Sequence, residues 1–165
     1  MAEITKQTLA WAETAPVQNE GTARCSASPD AVWAVLVDQE RWPEWFTTLK
    51  SVKVTSAEMG VGGTRTVSLT GMTVDEELIA WEPGRLFAFT GVSSKPGMFK
   101  ELVEQCVIEP LDDGGCQVTW KQSLTPGNRA YAATLRAGRK TLLKSLTAGM
   151  TNLARRAEAQ AQSQS

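Results

Sequence analysis

Histidine is absent from the 165 residues. That removes the commonest general base at neutral pH, the Ser-His and Cys-His nucleophile pairs, and most zinc and iron sites. Cysteine is scarce and odd in number. Cys25, Cys106 and Cys116 have no metal-type spacing and read as buried, reduced thiols. Charge of one sign is not in excess: formal net charge is −1, so no global basic field draws in nucleic acid or acidic lipid. Arg136, Arg139, Lys140 and Lys144 form the one basic cluster, which reads as a solvated helix face. No long hydrophobic run is present, so neither a secretory signal nor a membrane span is expected. These absences predict a cytoplasmic protein without metal or cofactor that binds no nucleic acid; the expected assembly is a monomer or weak homodimer.

What is present is a single-domain length, with 42% apolar and 21% charged residues. The most regular stretch is the last. Tyr131, Leu135, Leu142, Leu146, Met150 and Leu153 recur at helical spacing and make a one-sided apolar stripe. The spacing predicts a helix from Arg129 to Glu158, capped by Asn128 or Thr125, about 45 Å long. Such a helix needs a surface to cover. It either closes a filled core or roofs a ligand cavity.

Upstream, residues 1–15 read as a flexible leader, 16–157 as the domain and 158–165 as a disordered tail. A strand is expected over about 17–27. Ser28-Pro29-Asp30 then starts a short helix: a serine cap, proline in the first turn and an acid near the positive end. Trp42, Trp45 and Phe46 in a second short helix read as an anchor or as the rim of a cavity. From residue 49 the period becomes two, and turns set the register.

Taking Thr70-Gly71 as a two-residue loop pairs Leu69 with Met72, Val67 with Val74 and Arg65 with Glu76, all on one face. Four of the six are apolar, which makes that face the inner one and places an Arg-Glu pair inside. Such a pair adds little net stability, so its presence asks for a reason. It either holds the open end of the sheet or serves as a polar fixture within a cavity. Pro83-Gly84 as a type II turn pairs Trp81 with Leu86, Ala80 with Phe87 and Leu78 with Phe89, bringing Phe87 and Phe89 inward. Ser93 to Gly97 reads as a loop. A four-residue loop over Asp112 to Gly115 pairs Gln105 with Gln122 and Val107 with Trp120, and directs Gln105, Gln122, Trp120 and Glu101 inward. In that register Cys116 faces Leu111, not Cys106, and no disulfide is expected across this hairpin. Inward amides and a carboxylate call for water or a ligand.

The run from Cys25 to Asp38, with Ser28-Pro29 and Val32-Trp33, followed by Trp42-Pro43-Glu44-Trp45, resembles the polyketide cyclase/dehydrase (SRPBCC) family of the START-related, birch-pollen-allergen-like helix-grip superfamily. Gly60 to Arg65 and Glu76 through Leu86 extend the likeness over about residues 16–155. The resemblance implies an α+β helix-grip fold: a seven-stranded antiparallel sheet wrapped around a long C-terminal helix, with two short helices after the first strand. It also implies a cavity between sheet and helix. Ring-hydroxylase relatives carry an iron site built with histidines, which this chain lacks.

The expected ligand is a small hydrophobic or aromatic molecule of lipid, polyketide or isoprenoid type. The expected lining is Arg65, Val67, Leu69, Val74, Glu76, Leu78, Phe87, Phe89, Glu101, Gln105, Trp120, Gln122, Tyr131, Leu135 and Leu142. The alternatives are a cyclase or dehydratase using Glu76 or Glu101 with Arg65, and a protein-interaction module using the Trp42–Phe46 ridge.

Overall fold

The computed structural model describes residues 1–165. Its strands are β1 (Ala2–Glu3), β2 (Val17–Cys25), β3 (Leu49–Val54), β4 (Thr64–Leu69), β5 (Met72–Glu82), β6 (Leu86–Lys95), β7 (Phe99–Pro110) and β8 (Cys116–Pro126). Its helices are α1 (Leu9–Ala12), α2 (Pro29–Val37) and α3 (Arg129–Ser163), with a 3-10 helix over Gln39–Glu44 between α2 and β3. Seven strands form one curled antiparallel sheet in the order β2-β8-β7-β6-β5-β4-β3. It wraps around α3, the helix-grip architecture.

Local chemistry sets the elements. Ser28 Oγ accepts from Ala31 N at 3.3 Å and Pro29 opens α2. Asn128 Oδ1 accepts from Tyr131 N at 2.8 Å and starts α3. Gly71, at φ 75°, allows the tight β4–β5 turn, and the expected pairs form: Leu69 with Met72, Val67 with Val74, Arg65 with Glu76. The main core joins Trp42, Trp45, Phe87 and Trp120 to Leu146, Met150 and Leu153 of α3. Trp42 and Trp45 are only 1% and 2% exposed, so the aromatic trio is an anchor and presents no ridge for a partner.

Five expectations are corrected. Residues 1–15 are docked rather than loose. β1 pairs with Ser93 and Ser94 of β6, while Ile4 N donates to Val92 O and Thr5 N to Lys100 O. The segment thus fills the split between the far ends of β6 and β7, and Ile4 is buried with Val74, Phe99 and Leu102. Residues 93–95, expected in a loop, are strand for the same reason. Helix α3 runs on through 158–163, because Ala157 is buried and Glu158 accepts from both Ser26 N and Ser26 Oγ.

At Pro83-Gly84 the loop is one residue shorter. Trp81 pairs with Phe87 and Ala80 with Ala88, and a bulge between Leu78 and Ala80 restores Leu78 opposite Phe89. At the β7–β8 turn the loop is one residue longer, Leu111 to Gly115. Glu104 therefore opposes Gln122, Cys106 opposes Trp120 and Gln105 opposes Lys121. Cys116 opposes Pro110 on that side and Cys25 on the other. All three cysteines are free and buried.

Candidate functional site: a cavity beneath the long helix

A cavity of about 210 Å³ lies between the inner face of the sheet and α3. Strands β4 and β5 bring Arg65, Val67, Leu69, Met72, Val74 and Glu76, on alternate positions of one face. Strands β6 to β8 add Phe89, Phe99, Leu102, Glu104, Trp120 and Gln122. Trp42, Phe46, Thr48 and Leu49 close one side, and Tyr131, Leu142, Ser145 and Leu146 of α3 form the roof. A wider groove of about 370 Å³ along β2 is lined mostly by polar chains, including Gln18, Glu20 and Lys121, and offers little apolar surface to hold a ligand.

Ten expected site residues meet at the cavity: Arg65, Val67, Leu69, Val74, Glu76, Phe89, Trp120, Gln122, Tyr131 and Leu142. Five do not. Leu78 and Phe87 face inward but are sealed in the core. Leu135 packs in the cluster of Val74 and Phe99 and borders a surface groove. Glu101 and Gln105 fall on the outer face because of the one-residue longer hairpin loop. There Glu101 accepts from Gln7 Nε2 and Thr125 Oγ1, and Gln105 lies beside Ala12 and Glu13. Of the lining residues outside the expected set, the one that carries charge is Glu104. The length of the β7–β8 loop decides whether Glu104 or Gln105 turns inward beside Trp120, and the turn residues alone fit either length.

The polar fixture is dense. Arg65, 2% exposed, donates from Nε to Glu76 Oε2 and from Nη1 to Gln39 Oε1, both at 2.8 Å. Its guanidinium carbon lies 4.1 Å from the Trp42 ring centroid and 4.3 Å from that of Phe89. Nη2 is buried without a partner. Glu104 accepts from Trp120 Nε1 at 2.7 Å and from Gln122 Nε2 at 2.8 Å, one bond per oxygen. Gln122 in turn accepts from Asn19 Nδ2 at 3.3 Å.

Burial pushes Glu76 up to about 7, against the pull of the Arg65 guanidinium, while Glu104 and Asp75 add to the push. Burial also raises Glu104, opposed by the N–H donors of Gln122 and Trp120 and by Arg65. Between about pH 4.5 and 7 the unfolded chain releases a proton from Glu76 that the folded chain keeps. Stability therefore falls as pH rises across that window and levels off above it. The expected result is a higher thermal midpoint at pH 5 than at pH 7.5, with a smaller difference in a R65M/E76L double variant. A scan of midpoint against pH checks this, and equal midpoints in the parent protein would contradict it.

No group of three His, Cys, Asp or Glu side chains is placed to hold a metal ion, and no helix is long and apolar enough to cross a membrane. The family model described as polyketide cyclase/dehydrase and lipid transport matches residues 17–158. The chain belongs to this family. An uncharacterized protein of Mycobacterium tuberculosis is 35% identical over 114 residues, 68% of each chain. An uncharacterized protein of Mycobacterium bovis matches equally.

Among solved structures, the Zhui aromatase/cyclase from Streptomyces superposes with a TM-score of 0.71 at 16% identity, over 86% of this chain and 93% of that one. A START superfamily protein from Mycobacterium smegmatis gives 0.69 at 12% identity, over 86% and 97%. Ginseng major latex-like protein 151 from Panax ginseng gives 0.66 at 13% identity, over 84% and 95%. At these identities the likeness is one of fold, and a fold by itself does not fix a function.

Proposed function

We propose that this protein binds a small apolar or aromatic molecule in the cavity beneath α3. The observation that carries the reading is an apolar chamber with an Arg-Glu pair and a second carboxylate in its wall. Apolar surface supplies affinity, at about 25 cal/mol per Å² before the costs of ordering, and a few polar groups orient the ligand. The chamber is small. Benzene fills an engineered cavity of about 150 Å³, so a frame of one or two rings suits this one, whereas a whole lipid requires the roof to move. The partner is thus a small molecule. The three reduced thiols fit a reducing compartment such as the cytoplasm.

Native mass spectrometry of the purified protein, with denaturing extraction of co-purified material, tests the binding reading. Leu142→Trp projects from the roof into the cavity and is expected to weaken ligand binding at least about tenfold while the fold is kept. Unchanged affinity in that variant would move the ligand elsewhere.

A second reading is catalysis, cyclisation or dehydration of a polyketide-like substrate. It is favoured by Glu76, pushed near neutrality and bound to Arg65 through one oxygen only. Turnover of an extracted ligand, abolished by Glu76→Gln in a variant that still binds it, would establish that reading. The third alternative, a protein-interaction module, finds no surface at Trp42–Phe46, and the exposed large apolar side chains are only Met1, Met59 and Val61.

A further inference from the structure

We propose that the cavity selects ligands whose polar end is an O–H or N–H donor, neutral or cationic, and rejects those ending in a carboxylate. The inference rests on the binding reading above and names the class of ligand that the same site takes. The wall holds one guanidinium and two carboxylates, Arg65, Glu76 and Glu104, a formal sum of −1. The positive charge is already spent. Arg65 gives Nε to Glu76 and Nη1 to Gln39, lies against the Trp42 and Phe89 rings, and has its third nitrogen buried out of reach.

Among the charged groups, what remains open are acceptors. Glu76 Oε1 receives no hydrogen bond, and each Glu104 oxygen receives one and keeps a free lone pair. Both Glu104 partners are N–H donors, the pattern that suits an ionised carboxylate. Glu104 also keeps accessible surface where it lines the cavity. Thr48, Ser145 and Tyr131 add hydroxyls without charge. An incoming carboxylate would be desolvated beside two carboxyl groups with no free cation to meet it, whereas a donor satisfies an open acceptor.

Four probes of one ring size test this: naphthalene, 2-naphthol, 2-naphthylmethylammonium and 2-naphthoate. Each is titrated calorimetrically into the full chain at about pH 8, above the range where Glu76 titrates. The phenol and the ammonium are expected to bind at least about tenfold more tightly than the carboxylate. Glu104→Gln, which removes one negative charge at nearly constant volume, is expected to narrow that gap to about threefold or less. Naphthoate binding as tightly as the donors overturns the selection rule, and so does naphthalene binding with no order among the other three. A gap unchanged in the Glu104 variant overturns the assignment to that carboxylate. No binding by any probe, naphthalene included, overturns the cavity reading itself and this inference with it. The wild-type series decides the rule even if the variant folds poorly.

Discussion

Replacing Arg65 with alanine is expected to remove about 3–5 kcal/mol of stability, read by urea unfolding near neutral pH. The side chain is 2% exposed and serves several partners at once: Glu76, Gln39 and the faces of Trp42 and Phe89. Without it Glu76 keeps its buried position and loses its counter-charge. Glu76 then takes up a proton more readily, so the loss shrinks on acidification: largest at about pH 8 and smallest near pH 5. The R65M/E76L double variant should recover most of the lost stability, since apolar side chains of similar volume often replace a buried pair at no cost. That outcome would show the pair is not kept for stability and would leave orientation of a ligand as its use. A double variant as unstable as Arg65→Ala would instead make the pair structural.

The second large effect is expected at Gly21, in the middle of β2. A Cβ there would sit 2.3 Å from Thr147 N and 2.5 Å from Leu146 C, both backbone atoms of α3. The helix rests on the strand backbone at this point, and no side-chain rotation relieves the clash. Gly21→Ala should cost about 3 kcal/mol, and Gly21→Val more. Ligand affinity should fall as well, because Leu142, Ser145 and Leu146 of the adjoining helical turns form the cavity roof. Gly138, in the same helix, is the contrast. A Cβ there meets nothing within 4 Å, and Gly138→Ala should stabilise by about 0.5–1 kcal/mol. Denaturation curves of the variants check both signs. A Gly21→Ala protein as stable as the parent would mean that α3 can shift freely on the sheet.

How much was legible in the chain depended on how sharply each turn was marked. Thr70-Gly71 leaves room for one two-residue loop, so the Arg65–Glu76 pairing and its inward face followed from the sequence. The stretch Leu111 to Gly115 holds two aspartates and two glycines, and loops of four or five residues fit it equally well. Alternation should have decided between them, but β7 is apolar on both faces: Leu102 and Cys106 inward, Val103 outward and fully buried. The docked N-terminal segment contributes to this outer cover, with Gln7 N donating to Thr90 Oγ1 and Gln7 Nε2 to Glu101. Strands covered on both sides lose the period-two signal. A slip of one residue then exchanged Glu104 for Gln105 and Glu101.

The sequence by itself determined the apolar stripe of α3, the capped start of α2 and the inward Arg65–Glu76 pair, while the helix-grip fold followed from the family resemblance. The first three are written in local spacing, in cap chemistry or in a turn with one solution. The tertiary structure alone decided that Glu104 joins the pair, that Ile4 closes the split between β6 and β7, and that the chamber holds about 210 Å³. Those depend on contacts between segments far apart in the chain, where hairpin register, bulges and the resting depth of α3 on Gly21 are settled by packing rather than by local preference.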